Sequence, residues 1–176
     1  PRRSITFSAE RLEPNATALI PQAKLPPLGA EQPRWCGRWV LDKAASEPYD
    51  PILQDFGVAW VLRKAADSAK SVMTIWVTGS HVTIHLKLWV SVEDCIPLDG
   101  TSTEKPVPPG SKMTGMCTVC LTKCTPSELE MFTVFPDGNG EMRDTLTVSD
   151  DGASFKRVVV KGNLSVTRVF RKQDQF

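Results

Sequence analysis

The pattern of apolar and polar positions changes period once along this chain, at Ser71. From Tyr49 to Ser71 the apolar residues recur at helical spacing, and beyond Ser71 they alternate. Asp50 is placed to accept hydrogen bonds from the amides of a first turn, and Pro51 at the first helical position loses nothing by lacking its own amide. Gly57 can take the left-handed conformation that ends a helix. These signals predict a helix of about two turns, with Ile52, Leu53 and Phe56 on one side. After Gly57, residues Val58, Val61, Leu62, Ala65, Ala66 and Ala69 form one stripe, while Arg63, Lys64, Asp67 and Lys70 take the other faces. A second, amphipathic helix with a basic outer surface is expected there. Such a pair seals a core as an ordinary surface element or covers the mouth of a barrel as a lid.

Beyond Ser71, Val72–Thr78 reads as a strand and Gly79-Ser80 as a turn. Val82, Ile84, Leu86, Leu88 and Val90 then alternate with His81, Thr83, His85, Lys87 and Trp89, completing a hairpin with one apolar face. Further strands are expected over Met113–Lys123, Glu128–Phe135, Glu141–Ser149, Ser154–Lys161 and Leu164–Lys172. Turn residues punctuate them, as in Pro136-Asp137-Gly138-Asn139-Gly140 and Gly162-Asn163. Short strands joined by tight turns predict an up-and-down antiparallel barrel, because closure removes exposed edges. The prolines and glycines between Pro97 and Gly110 interrupt the meander.

The last strand is the most informative. Leu164, Val166, Arg168 and Phe170 share one face, so a cation stands in line with large apolar side chains. If that face is the interior, Arg168 requires an anion or strong acceptors. A ligand carboxylate would serve, in bidentate fashion, and so would an internal acid such as Asp144 or a position near a barrel end.

Composition narrows the choices. The chain has 176 residues and a formal net charge of +1. That length holds one domain, or a domain of about 130 to 140 residues with a tail. A near-neutral chain without basic runs argues against nucleic acid as a partner, and no apolar run approaches a transmembrane segment. Residues 1–34 carry Pro1, Pro14, Pro21, Pro26, Pro27 and Pro33 without apolar periodicity, and read as an extended arm or a disordered tail. A start at Pro1 points to a processed or truncated terminus. The odd count of five cysteines argues for a reducing compartment, in the cytoplasm or an organelle interior. Cys117, Cys120 and Cys124 crowd together, but along a strand only Cys120 and Cys124 share a face, and no fourth metal ligand is near. No metal or other cofactor is expected. Motifs for hydrolase, metalloprotease or phosphate-binding chemistry are missing, and an enzyme is not expected.

Gly37-Arg38-Trp39-Val40-Leu41, then Tyr49 and the helical pair with Phe56-Gly57-Val58 and Leu62-Arg63-Lys64, then the ending Thr167-Arg168-Val169-Phe170-Arg171-Lys172, occur in one order and spacing. Over Trp35 to about Lys172 this set resembles the intracellular fatty-acid-binding protein family of the calycin superfamily. The resemblance implies a mainly β fold over residues 35–176: a flattened barrel of ten strands with a helix-turn-helix lid over a cavity for a fatty acid or similar lipid. It also implies a carboxylate clamp of an arginine and a tyrosine on the last strand and a second arginine two strands earlier. Arg168 matches the first arginine, but Phe170 stands at the tyrosine position. Alignment on Asp151-Gly152 puts Val148 or Ser149 at the second arginine, with Arg143 and Arg157 reachable only in another register. The candidate ligand contacts are therefore Arg168, Phe170 and Val166 on the last strand, Phe56, Val58 and Leu62 on the helices, and Arg143. Trp60, Trp76 and Trp89 are bulky enough to narrow the cavity.

Two functions follow. One is non-enzymatic binding of a hydrophobic small molecule. The other is an accessory subunit of a larger organellar or membrane-associated complex, its barrel a scaffold and residues 1–34 gripping protein neighbours.

Overall fold

The computed structural model describes residue 25 and residues 31–88 and 90–173. The elements run β1 (Gly37–Asp42), α1 (Asp50–Asp55), α2 (Trp60–Ser68), β2 (Val72–Thr78), β3 (His81–Lys87), β4 (Ser91–Pro97), β5 (Thr103–Pro106), β6 (Met116–Cys124), β7 (Glu128–Val134), β8 (Glu141–Val148), β9 (Ser154–Lys161) and β10 (Leu164–Lys172). A single 3-10 turn at Pro136–Gly138 joins β7 to β8. All ten strands form one sheet in the order β4-β3-β2-β1-β10-β9-β8-β7-β6-β5, with antiparallel pairing at every step. The sheet curls into a nearly closed barrel whose ends, β4 and β5, are bridged by a side-chain ion pair, Lys105 Nζ to Asp94 Oδ2 at 2.7 Å.

Alternation sets the interior. Trp39 on β1 pairs with Met73 on β2, which pairs with Leu86 on β3, and that inward row continues to Val92 on β4. On the other side, Met131 pairs with Asp144, Asp144 with Val159, and Val159 with Val166. Two apolar clusters result. One, away from the helices, gathers Trp35, Trp39, Ile75, Leu121, Leu129, Phe155 and Phe170. Its aromatic stack has Phe155 and Phe170 centroids 4.8 Å apart and the Trp39 ring edge-on to Phe155. Trp35 Nε1 donates to the Thr125 carbonyl and Trp39 Nε1 to the Trp35 carbonyl, which satisfies both indoles. The second cluster joins Ile52, Phe56 and Val58 to Cys117, Phe135, Val159 and Val166, and so fixes α1 onto the barrel mouth.

Local details depart from the expected ones. Asp50 does not cap α1, whose first turn has no side-chain cap; its Oδ1 instead faces Arg63 Nε of α2 at 3.3 Å. Gly57 does take the left-handed conformation, with φ +73°. The expected apolar stripe of α2 is rotated. Val61 and Ala65 are exposed and α2 buries no residue fully, whereas Leu62, Arg63 and Ala66 turn toward the protein. The apolar run Val82–Val90 is shorter than expected as a strand, because the chain turns where the Leu88 amide bonds the Val90 carbonyl and returns as β4. A register shift between Leu121 and Lys123 moves Cys124 onto the inner face opposite Leu129. Cys124 therefore shares the inner face with Cys117 and not, as along an unbulged strand, the face of Cys120, while Cys117 and Cys120 stay on opposite faces as expected. Among the described residues no cluster of His, Cys, Asp and Glu suits a metal ion.

The arm expected over residues 1–34 lies almost wholly outside the described residues, and the gripping role assigned to it with it. Its last residue is fastened to the barrel: the Arg34 amide donates to the Pro126 carbonyl, and its guanidinium donates to the carbonyls of Ser149 and Asp150.

Candidate ligand-binding cavity

Beneath α1 the barrel holds a partly open cavity of about 140 Å³. Its roof is Tyr49, Leu53 and Phe56; its walls include Met73, Ile84, Leu86, Val92, Met131, Met142 and Leu146; Pro108 and Pro109 close one side. The walls are apolar because β2, β3, β4, β7 and β8 each send alternate apolar residues inward. The proline-rich interruption after β4 is thus part of the cavity, and it also contains the short strand β5 that supplies Lys105.

Five charged or hydroxyl-bearing side chains interrupt this lining besides Thr133. They are Tyr49, Asp94, Lys105, Asp144 and Arg157, and four of them form two ion pairs. Arg157 Nε lies 2.9 Å from both oxygens of Asp144, and Nη2 donates to Oδ2 at 2.5 Å. The pair is deeply buried, with side-chain exposures of 13% and 4%. Burial opposes the charge on Arg157, but the Asp144 carboxylate and Tyr49 beside it outweigh burial and hold the guanidinium pKa above its ordinary value. Burial raises the Tyr49 pKa too, against the pull of the two neighbouring arginines, so at neutral pH the ring carries a phenol and not a phenolate.

Arg168 stands directly opposite Arg157 in the β9–β10 register. Both guanidinium groups lie over the Tyr49 ring, at 5.5 Å for Arg168 and 5.9 Å for Arg157. Arg168 is not part of the cavity lining. It borders a separate cleft of about 210 Å³ shared with Leu41, Lys43, Ser46, Glu47, Pro48 and Asp67. Its Nε is buried without a hydrogen-bond partner among the described residues. Burial, then repulsion from Arg157, lowers its pKa.

The other candidates fall in different places. Phe56 lines the cavity. Val58 and Leu62 pack in the cluster that seats α1, and Val166 joins them from β10. Phe170 belongs to the aromatic stack in the cluster away from the helices. Arg143 points outward from β8, where it pairs with Glu130 Oε1 at 2.6 Å and covers the Phe132 ring. A ligand inside the barrel is out of its reach, since the two residues flanking it, Met142 and Asp144, are the ones that face the cavity. No arginine faces inward from β8, and the second interior guanidinium comes from β9. Trp60 does not narrow the cavity, being 62% exposed on α2, and Trp76 is outside the lining; Trp89 lies outside the described residues.

No protein-family model matches the sequence, and no curated protein matches it by sequence. Solved structures do match in three dimensions. A Schistosoma mansoni fatty-acid-binding protein in complex with arachidonic acid superposes with a TM-score of 0.67 at 17% identity, covering 80% of this chain and 97% of that one. Fatty-acid-binding protein 1 of Echinococcus granulosus gives 0.66 at 17% identity over 80% and 98% of the two chains. Lipid binding protein 8 of Caenorhabditis elegans gives 0.67 at 15% identity over 80% and 96%. The chain has the fatty-acid-binding-protein fold. Within that fold, its interior polar groups are an acid–arginine pair on β8 and β9 and a lysine–acid pair across the β4–β5 gap.

Proposed function

We propose that this protein binds a hydrophobic small molecule, of fatty-acyl or similar lipid type, reversibly inside the barrel and without covalent chemistry. The observation that carries the reading is the cavity itself: a partly open apolar space under a helical roof, with a few polar groups in its lining. Proteins of the same fold that carry arachidonic acid or are named for lipid binding support it. No described helix is long and apolar enough to cross a membrane.

The size of the cavity adds a condition. At about 140 Å³ it matches the engineered apolar cavities that hold one benzene-sized molecule, and it falls below the roughly 300 Å³ at which drug-sized pockets begin. A short aliphatic ligand fits with the roof in place, whereas a long one extends through the open side of the cavity or moves α1 outward. Calorimetric titration of the purified protein with octan-1-ol as the probe should therefore show saturable uptake. Leu86→Trp, which fills the cavity from β3 at a stability cost of about 1–3 kcal/mol, should abolish uptake while circular dichroism remains that of a β-barrel. Equal uptake by a folded Leu86→Trp protein would place the probe elsewhere.

A further inference from the structure

The two ion pairs in the lining have a consequence for the ligand. Each cation in the cavity lining already has its own carboxylate: Arg157 is held by Asp144 through three contacts and Lys105 by Asp94 through one. The four charged groups that line the cavity therefore sum to zero, and no cation among them is left unpaired. The cation that lacks an acidic partner, Arg168, borders the other cleft.

From this geometry we propose that the cavity selects uncharged amphiphiles with a hydrogen-bonding head, such as aliphatic alcohols, over carboxylates of the same chain length. The inference rests on the cavity-binding reading above and names its ligand class. A carboxylate entering the cavity meets Asp94 and Asp144 on its walls, and in that water-poor space like charges repel strongly. Asp144 already takes the Nε and Nη2 donors of Arg157 and neutralises its charge, so a carboxylate that reaches the remaining N–H groups gains a shared cation and sets a second buried anion beside Asp144. An ammonium head meets the same obstacle with signs reversed, at Lys105 and Arg157. An uncharged hydroxyl faces neither penalty. It can donate to the outer edges of Asp144 or Asp94 and accept from the Tyr49 phenol, which stands in the lining as a neutral donor.

The test uses the full chain and three ligands of equal length, octan-1-ol, octanoate and octylammonium, titrated by calorimetry near neutral pH. Octan-1-ol should bind at least tenfold more tightly than either ion. Octanoate binding as tightly as octan-1-ol, or more so, would overturn the proposal while leaving the cavity reading intact. Failure of all three to bind would remove both.

Because an alcohol is also the more hydrophobic compound, a variant isolates the contribution of the ion pair. Asp144→Asn keeps an oxygen acceptor for Arg157 and removes its neutralising charge, so the gap between octan-1-ol and octanoate should narrow at least tenfold. A folded Asp144→Asn protein with an unchanged gap refutes the proposed role of Asp144. If that variant does not fold, Asp94→Asn carries the same test, because it removes the charge that neutralises Lys105: the gap between octan-1-ol and octanoate should again narrow at least tenfold, and an unchanged gap in the folded protein refutes the proposal.

Discussion

Asp144 and Arg157 are the residues on which the interior depends, and their energetics are asymmetric. A buried pair of this kind contributes little net stability, because desolvation offsets attraction, yet removing one partner strands the other. Arg157→Met should therefore cost about 3–5 kcal/mol, since the Asp144 side chain is 4% exposed and all of that carboxylate's described hydrogen bonds come from Arg157. The double variant Asp144→Leu/Arg157→Met should recover most of that loss and approach the parent. Urea denaturation of the parent, the single and the double variant measures both, and a double variant less stable than Arg157→Met would contradict the account. The same residues show what could be read in the sequence at this scale. A charged residue in phase with an apolar alternation marks an interior ion, which is how Arg168 between Val166 and Phe170 stands out. Asp144 between Met142 and Leu146, and Arg157 between Phe155 and Val159, carry the same mark. Alternation tells which face a side chain takes. It does not tell how far along the barrel axis the side chain lies or what roofs it, and those decide that Arg157 reaches the cavity while Arg168 borders a cleft with Glu47 and Asp67.

Among the elements, the helical pair depends on Gly57. Its φ of +73° lies where a Cβ is strained, and an added Cβ would sit 2.9 Å from Lys112 Cγ. The surrounding backbone is tied as well: the Gly57 amide bonds the Gln54 carbonyl, the Val58 amide the Leu53 carbonyl, and the Lys112 amide the Phe56 carbonyl. Gly57→Ala should destabilise the protein by about 1 kcal/mol or more, a fall in melting temperature of roughly 2–4 °C for each kcal/mol at this chain length. A thermal melt unchanged within 1 °C, on the order of the smallest shift expected, would show that the link relaxes freely. The glycine, the proline at the start of α1 and the strands β2 and β6 to β10 were legible because each carries a local cue, either turn chemistry or alternation. Strands β4 and β5 were not. β4 alternates Val92, Asp94 and Ile96 inward, so its apolar face is broken by the acid that pairs with Lys105, and β5 has four residues including Pro106. Each owes its place in the barrel to a partner distant in sequence. The bulge after Leu121 was equally hidden, since a single extra residue changes the inward set without changing composition.

For the whole molecule, cooperative stability should be graded from barrel to roof. Strands β8, β9 and β10 are hydrogen-bonded on both sides and carry fully buried side chains such as Leu146, Phe155 and Val159. The roof is anchored mainly through α1, by Ile52 and Phe56, while α2 buries no residue and leaves Trp60 and Val61 62% and 68% exposed. Elements with few buried contacts open locally at lower free energy than the global unfolding that frees central strands. The cavity of about 140 Å³ is partly open, and local opening of this roof widens the way in for a ligand longer than the cavity. Hydrogen exchange should accordingly show the amides of residues 60–69 exchanging fastest among the hydrogen-bonded elements, those of α1 next, and those of β9 and β10 only through global unfolding. A bound aliphatic ligand packs against Leu53 and Phe56, so it should slow exchange in α1 far more than in β9 or β10. If α1 exchanges at the rate of β9 in the free protein, the roof opens only when the barrel unfolds, and ligands enter only by the opening the cavity already has.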